Sequence, residues 1–203
     1  MVEVVVVLAL IFTMAVILLP AFSKAKIKGG PNCVSNLKQI GLSYLIWAGD
    51  NNDRYPTEVS VANGGIMELA GGRNAWLTFF VMSNELSTPK VLVCPQDLIR
   101  LPPATHFSSQ LAGHISYFVG LDAKPSDPQA LLSGDDNFAV GGVPVKSGLL
   151  ILVSNTPVIW TAARHHFAGN VALADGSVQQ MSSSGLTNWF RQTGLATNRL
   201  AIP

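Results

Sequence analysis

The sequence predicts an α+β fold, in which a long N-terminal helix packs on a small antiparallel β-sheet and a short helix lies near the C-terminus. Three observations predict it. An apolar run covers Val4–Leu19, an amphipathic pattern follows to about Ala48, and alternating apolar residues flank the Asp175-Gly176 pair. The first two patterns favour helix and the third favours a β-hairpin. We therefore expect a helical rod attached to a domain that contains a sheet.

The apolar run predicts a membrane anchor. Val4–Leu19 comprises sixteen residues interrupted only by Thr13, slightly fewer than the ~18–20 that a helix needs to cross the hydrocarbon of a bilayer. A cleavable signal peptide has a basic start and a small-residue cleavage site, whereas here an acidic residue stands third and lysines follow the run. We therefore expect residues 1–28 to form an anchor helix that stays attached. Residues 29–203 are expected to form a globular domain that includes the second half of the long helix.

Glu3 is the one ionisable side chain within the first twenty residues. An isolated carboxylate is costly in lipid, so it must reach the interface or find a cation. Two interpretations follow. In the first, Glu3 lies among the headgroups of a single-span anchor. In the second, it pairs with the terminal amine of a neighbouring subunit.

The composition favours one globular domain that contacts other proteins. The chain has 203 residues, so about 150 residues remain for a soluble domain, which is enough to bury a core. Only 12% of the residues are charged, which is low for a freely soluble surface, so part of it is expected to be buried against neighbours. The net charge is +1, with no basic stripe beyond Lys24–Lys28. We therefore expect no nucleic-acid partner.

Cys33 and Cys94 are the two cysteines of the chain. They are compatible with one disulfide in an oxidising compartment. We predict that disulfide, and two separate buried thiols are the alternative. The spacing contains no CxxC pair, which excludes zinc ribbons and thioredoxin-like chemistry, and we expect no metal and no cofactor.

The segment after the anchor has helical periodicity. Apolar residues at helical spacing from Leu37 onward predict an amphipathic helix to about Ala48. Gly29-Gly30-Pro31 is expected to break the rod, because proline cannot continue the hydrogen-bonded ladder. A new helical start is then expected with a cap near Asn32 or Ser35.

Short patterns predict the elements of the domain. Asp50–Asp53 is expected to end the helix as a solvated turn, since Arg54 stands where a calcium loop needs an oxygen ligand. Further predictions are a buried helix over Asn74–Glu85, strands over Lys90–Cys94, Ile115–Leu121 and Leu149–Val153, and a surface loop over Pro125–Gly142 around a short strand at Ala130–Ser133.

The strongest local pattern is the hairpin around Asp175-Gly176. Asp-Gly between alternating apolar runs favours a two-residue type I′ turn, which would place Leu173 opposite Val178. A helix over Ser182–Gly194 is expected to follow, with serine caps and a stop at Gly194. Its expected buried side chains are Leu186, Trp189 and Phe190.

His165, His166 and Asp175 raise the question of catalysis. Adjacent histidines in an extended strand point to opposite faces and cannot easily share one metal ion. The sequence contains no nucleophile elbow, no HExxH and no glycine-rich phosphate loop beside them. We therefore expect that the chain is not an enzyme and that His165 packs structurally against the hairpin.

Three segments together resemble a known family. Glu3-Val-Val-Val-Val followed by an apolar stretch and Leu-Leu-Pro20-Ala-Phe-Ser-Lys-Ala-Lys resembles the start of a processed type IV pilin or type II secretion pseudopilin. Asn32–Pro56, NCVSNLKQIGLSYLIWAGDNNDRYP, resembles a segment found in one branch of these pilin-like proteins. Nine residues separate His165 from Asp175-Gly176, as in the H-x9-DG signature of that branch. The resemblance covers the anchor, Asn32–Pro56, Glu85–Pro95 and Gly113 to the end.

The resemblance implies a pilin-like fold and a role in assembly. In the family a leader is removed and the new terminus is methylated, a glutamate such as Glu3 guides assembly, and a proline such as Pro20 loosens the helix. The partners would be copies of the chain in a helical filament, other pilins or pseudopilins, and the membrane before assembly. His165, Asp175 and Gly176 would be structural motif residues.

The resemblance also implies a location. The subunit would cross the inner membrane once, with its globular domain outside the cytoplasm, and would end in a periplasmic or extracellular filament. Lys24–Lys28, taken alone by the positive-inside rule, would give the opposite orientation, and we follow the resemblance. Alternatives are an anchored minor pilin or adhesin that binds a ligand, and an anchored metal-dependent enzyme.

Overall fold

A computed structural model of the chain describes residues 31–203. The anchor predicted for residues 1–28, with Glu3 and Pro20, and the glycine pair before Pro31 lie outside these residues. The described helices are α1 (Pro31–Asp50), α2 (Ala75–Val81), α3 (Ser83–Leu86) and α4 (Ser183–Gln192). The described strands are β1 (Tyr117–Gly120), β2 (Leu131–Asp135), β3 (Phe138–Val140), β4 (Val143–Pro144), β5 (Gly148–Val153), β6 (Val158–Trp160), β7 (Ala168–Leu173), β8 (Val178–Ser182) and β9 (Thr197–Ile202).

The predicted fold class is wrong. In residues 31–203, nine strands form two sheets, a six-stranded sheet in the order β5-β9-β1-β2-β7-β8 and a three-stranded sheet in the order β4-β3-β6. All paired strands are antiparallel. The described chain is therefore a mostly antiparallel β domain with short helices, rather than a long helix on a small sheet. The prediction failed because several buried strands carry the polar residues and glycines that are typical of loops.

Helix α1 confirms the amphipathic pattern predicted to about Ala48. Its inner face is buried at helical spacing by Cys33, Leu37, Ile40, Tyr44, Trp47 and Ala48. The helix ends at Asp50, and Asn52 and Asp53 follow with φ of 57° and 50°. Such left-handed backbone stops a helix. Ser35 lies inside α1, so a cap at Ser35 is excluded; the described helix begins at Pro31, next to Asn32.

The core has two parts, one on each face of the six-stranded sheet. Successive residues of a strand point to opposite faces, so Tyr117 and Val119 face one side while Phe118 faces the other. The first part contains the inner face of α1 with the small residues Ala172 and Ala201. The second part contains Phe118, the three-stranded sheet and α4. The sheet is therefore buried on both faces over much of its width.

Two loop-level predictions are wrong. Lys90–Cys94 is not a strand, because Pro89–Leu92 forms a 3-10 helix in which the Thr88 hydroxyl accepts from the Lys90 amide. Pro125–Gly142 is not a surface loop around one short strand: the strand predicted at Ala130–Ser133 is present as the fully buried β2, and a second strand, β3, follows it. The polar residues of β2 have internal partners; the Ser133 hydroxyl, for example, donates to the Phe118 carbonyl at 2.7 Å. Satisfied in this way, they can be buried.

The other predicted elements are present with shifted bounds. Helices α2 and α3 lie within Asn74–Glu85 and one residue beyond, strand β1 lies within Ile115–Leu121, and β5 matches Leu149–Val153 with one residue added. Helix α4 is capped by the Ser182 hydroxyl, which accepts from the Gly185 amide at 3.1 Å. Leu186 and Phe190 are buried, whereas Trp189 is only partly buried.

The β7–β8 hairpin is confirmed, but its turn differs from the predicted one. The Leu173 amide donates to the Ser177 carbonyl and the Gly176 amide donates to the Leu173 carbonyl, both at 2.9 Å. Only Gly176 of the turn has a positive φ, at 79°. This is a three-residue loop with a bulge at the glycine rather than a type I′ turn. Val178 therefore pairs with Ala172 and not with Leu173.

Candidate functional site

Three of the sequence segments meet inside the domain. A disulfide bond joins Cys33 in α1 to Cys94, which follows the Pro89–Leu92 turn. The Nε2 atom of His165 lies 3.5 Å from the Cys94 sulfur. All three residues are buried. The cysteine segment, the Glu85–Pro95 segment and the histidine of the H-x9-DG pattern therefore define one site.

The donor atoms of Cys33, Cys94 and His165 lie within 4.8 Å of one another, as in a metal site. In the structure the two sulfurs are bonded to each other. A thiolate is the form of cysteine that binds metal. This set can therefore be offered to a metal ion only after the disulfide is reduced.

The backbone at His165 is left-handed. His165, His166 and Phe167 have φ of 53°, 48° and 63°. Left-handed residues other than glycine cost roughly 1–2 kcal/mol each, so three in succession are unusual. This turn directs His165 inward and leaves His166 exposed. The two histidines do diverge, but through this turn and not through the extended strand that the sequence suggested.

The carboxylate of Asp135, at the end of β2, holds His165 in place. Its Oδ2 atom accepts hydrogen bonds from the amide and the side chain of Asn170 at 2.7 and 2.9 Å. His165 Nε2 lies 3.2 Å from the same oxygen. The other carboxylate oxygen of Asp135 and Nδ1 of His165 have no hydrogen-bond partner among the described residues.

Arg164 is the centre of a buried ion-pair network. Its guanidinium contacts Asp136, lies 3.2 Å from Asp97 and 3.9 Å from Asp135, and donates to the Ser116 carbonyl at 2.9 Å. Burial would lower the pKa of Arg164, but the three carboxylates, Asp136 foremost, outweigh it and raise the pKa above its ordinary value. Arg164 is therefore held as a cation in the interior.

Arg100 extends the network towards the surface. Its guanidinium contacts the second oxygen of Asp136, and its side chain is partly exposed. Burial raises the pKa of Asp136, and this effect exceeds the lowering by Arg164 and Arg100. The network thus joins two arginines and three aspartates between the interior and the solvent.

Asp97 connects the network to an exposed turn. Its Oδ2 accepts from the Ser116 hydroxyl at 2.7 Å, and its Oδ1 accepts from the amides of Ile99 and Arg100 at 3.1 and 3.2 Å. Burial alone would raise the pKa of Asp97, but Arg164 and the hydrogen bond from Ser116 hold it below its usual value. The charged carboxylate fixes the backbone of residues 97–100.

Two clefts flank the network. One, of about 570 Å³, lies between the N-terminal end of α1 and the turn at residues 97–100. Asn32, Lys90 and Leu98 are among its lining residues. The other, of about 290 Å³, lies beside β3 and the chain end, with Thr161 and Pro203 in its lining. Asp97 and Arg100 line both clefts. The network therefore forms the wall between them.

Not every residue singled out in the sequence lies at this site. Asp175 and Gly176 are at the hairpin turn, where a Cβ on Gly176 would lie 2.9 Å from Leu45 of α1. The Tyr55 hydroxyl donates to the Ala174 carbonyl of this loop at 2.8 Å. The two ends of the H-x9-DG pattern therefore lie at different sites. His165 contacts the disulfide, and Gly176 packs the hairpin against α1.

The sequence patterns did not identify six residues of the network, which are Asp97, Arg100, Ser116, Asp135, Asp136 and Arg164. One signal was available, since Asp135 and Asp136 lie between the apolar pairs Leu131-Leu132 and Phe138-Ala139. Two adjacent acids inside an apolar stretch indicate buried carboxylates with cationic partners. The partners themselves are far away in sequence, and no local pattern identifies them.

The arrangement is suited to holding parts together. The sulfurs are bonded to each other, and the hydroxyls of Ser116 and Ser133 are engaged in hydrogen bonds.

In residues 31–203 no helix combines the length and the hydropathy that a membrane span requires. Comparison with models of known protein families, with curated proteins and with solved structures found no match.

Proposed function

We propose that this chain is a structural subunit of a type IV pilus-like or type II secretion pseudopilus filament. Residues 1–28 anchor it in the inner membrane before it assembles with copies of itself and with other pilins. The observation that carries the proposal is an apolar stripe on the outer face of α1. Leu42, Leu45 and Ile46 have the spacing of one helix face, and Leu42 and Ile46 are 56% and 46% exposed.

The stripe makes α1 apolar on two faces. The inner face packs on the sheet, where Ile40 and Tyr44 are fully buried. A surface helix of a solitary domain has a polar outer face, so an apolar outer stripe favours a second packing partner. In a filament that partner is the helix of a neighbouring subunit. Because α1 follows the apolar run in the sequence, the stripe extends the same assembly surface beyond the lipid.

The buried site also supports a structural role. Cys33 of α1 is tied by the disulfide to Cys94, and His165 and the arginine network pack beside that bond. In a filament assembled through α1, this covalent link would keep the rest of the domain attached to the helix. The proposal assigns no reaction to these residues.

The test compares two apolar-to-acidic substitutions of the full chain in cells that make the filament. Ile46→Asp adds a charge to the stripe, and Met67→Asp adds one to a half-exposed methionine in a loop. An unpaired carboxylate buried between subunits costs more than the ~1.4 kcal/mol that corresponds to tenfold weaker association. Filament yield, measured by electron microscopy and by sedimentation, should fall about tenfold or more for Ile46→Asp and stay at the wild-type value for Met67→Asp.

Glu3→Ala tests the anchor in the same assay. The subunit should remain in the membrane fraction but form few filaments, because it loses the carboxylate that would offset a neighbour's amine. Wild-type filament yields from both Ile46→Asp and Glu3→Ala would contradict the proposal.

A second candidate is an anchored minor subunit or adhesin that binds a ligand. The cleft of about 570 Å³ between α1 and the turn favours it, because small-molecule sites have this size. The composition of purified filaments separates the two candidates. A major subunit dominates the filament mass, whereas a tip protein is present in traces.

A further inference from the structure

The turn that follows Asp97 exposes an unusual amount of apolar surface. Leu98 is 92% exposed and Ile99 is 82% exposed, and Leu101 is more than half exposed. Scattered apolar residues are normal on a protein surface. Two adjacent large aliphatic side chains that project almost completely into solvent, with a third beside them, form a contiguous patch of the kind that marks an interaction site.

This exposure is built into the fold. The Asp97 carboxylate accepts from the amides of Ile99 and Arg100, and Arg164 and Ser116 hold that carboxylate from below. The Leu101 amide donates to the Gly113 carbonyl at 3.2 Å. The buried network therefore keeps the turn in a conformation that presents Leu98 and Ile99 outward.

The turn lies at the N-terminal end of α1. The disulfide joins Cys94, three residues before Asp97, to Cys33, and the Asn36 side chain donates to the Val93 carbonyl at 3.1 Å. Asn32 and Leu98 line the same cleft. In the sequence the apolar run precedes this end of α1, and only ten residues lie between Pro20 and Pro31. The eleven steps from Pro20 to Pro31 span at most about 40 Å, and about 16 Å in a helix.

The charges around the turn favour an anionic partner. Lys90 is exposed and lines the cleft beside Leu98, and Lys24, Lys26 and Lys28 stand between the apolar run and α1. The negative charge of Asp97 is compensated inside the domain by Arg164. Basic residues next to a membrane anchor are attracted to anionic lipid headgroups.

We propose that the Asp97–Leu101 turn and the adjoining cleft bind the surface of a membrane that contains anionic phospholipid. Leu98 and Ile99 enter the interfacial layer, and Lys90 faces a headgroup phosphate at the mouth of the cleft. The domain would then stand on the bilayer at two points, the anchor helix and this turn, which fixes its orientation before assembly. The orientation of the turn towards the bilayer rests on the anchoring part of the proposed function.

The test uses the full chain in proteoliposomes with an environment-sensitive fluorophore. Leu98→Cys carries the label at the turn, and Asp50→Cys carries it at the other end of α1 as a matched control. Incorporation of one label per chain shows that Cys33 and Cys94 remain bonded. In vesicles that contain phosphatidylglycerol, the label at position 98 should shift to the blue and be quenched by a lipid-borne quencher. The label at position 50 should be quenched only by an aqueous quencher.

Two further measurements separate the possible failures. Lys90→Glu, or vesicles of phosphatidylcholine alone, should reduce the blue shift at position 98. Resistance to carbonate extraction tests membrane anchoring independently of the turn. If the chain is not anchored, its flotation with anionic vesicles still tests the turn. The double substitution Leu98→Ser with Ile99→Ser should then abolish flotation. A label at position 98 that stays in an aqueous environment in all vesicles would overturn the proposal and show that the turn faces solvent. A blue shift that depends on protein density and not on lipid would overturn it in favour of contact with a second copy of the chain.

Discussion

The Nε2 atom of His165 lies 3.5 Å from the sulfur of Cys94. This contact packs the first residue of the H-x9-DG pattern against the disulfide that ties α1 to the rest of the domain. The disulfide, His165 and the guanidinium of Arg164 adjoin one another in the interior of the domain. These groups should differ in how strongly they stabilise the fold, and the following substitutions measure them.

The disulfide should contribute substantially to stability. Cys33 and Cys94 are 61 positions apart in the sequence, and closing a loop of that length in the unfolded chain is worth up to about 4 kcal/mol in the chain-entropy model. Cys33→Ser with Cys94→Ser should therefore lower the free energy of unfolding, measured with urea, by up to this amount. Thiol labelling of denatured, unreduced wild-type protein is the control, and two free thiols would show that the bond does not form.

Arg164→Met should be strongly destabilising. It removes the cation that Asp97, Asp135 and Asp136 share in the interior, and breaking a buried ion pair costs about 3–5 kcal/mol. Arg199→Met is the matched control, because Arg199 forms a largely exposed pair with Asp122, and such a pair is worth about 0.2–1 kcal/mol. Urea unfolding of both variants provides the comparison, and equal losses would mean that the network does not stabilise the domain.

The stabilisation from Asp97 should disappear in acid. Its folded-state pKa lies below the ordinary value of 3.8, so folding favours the charged carboxylate. This contribution is fully present above about pH 4 and is lost as the pH falls through the depressed folded-state pKa. Asp97→Asn lacks it at every pH. The difference in unfolding free energy between wild type and variant should therefore shrink on acidification, and a difference that is constant with pH would exclude this role.

Phe167→Gly should stabilise the domain. Phe167 is 62% exposed, so its side chain contributes little burial, whereas its φ of 63° is unfavourable for any residue but glycine. Removing that cost gains roughly 1 kcal/mol before the entropy of the glycine in the unfolded chain is subtracted. His165→Ala is the contrasting variant; it keeps the positive φ, loses the buried ring and should destabilise. A lower melting temperature for Phe167→Gly than for the wild type would contradict this prediction.

Gly176→Val should strain the hairpin loop. The φ of 79° at this position is unfavourable for a β-branched residue, and its Cβ would lie 2.9 Å from Leu45. The expected loss is about 1–3 kcal/mol. Gly176→Asn should lose less, since asparagine adopts the left-handed region more readily. An unchanged melting temperature for Gly176→Val, together with loss of a metal-dependent activity in His165→Ala, would make the motif a chemical site instead.

Features that depend on near neighbours were predictable from the sequence. The periodicity from Leu37 predicted the buried face of α1, and Asp175-Gly176 predicted the β7–β8 hairpin. The turn type was not predictable, because the Asp175 side chain accepts from the Ser177 amide at 2.8 Å and favours the bulged loop over the tighter turn. A single side-chain hydrogen bond decides between these two loops.

The strands and the site depend on distant partners. Asp135 can be buried in β2 because Asn170, 35 residues later, donates two hydrogen bonds to it. Arg164 likewise forms ion pairs with Asp97 and Asp136, which are distant from it in the sequence. Pro125–Gly142 was expected to be a surface loop around a short strand because it is rich in Asp, Pro, Gly and Asn. The cysteines and His165 were recognised, but their meeting point required the tertiary fold.

Strand β9 follows the other eight described strands in sequence, yet it lies in the sheet between β5 and β1. Until residues 197–202 pair, β1 and β5 therefore each keep an open edge on the side that β9 will occupy. Long-range pairing of this kind is slow to form. A chain that lacks residues 197–203 would keep those two edges open, and open edges pair with other chains. Strand β9 thus protects the middle of the sheet against pairing with a second chain.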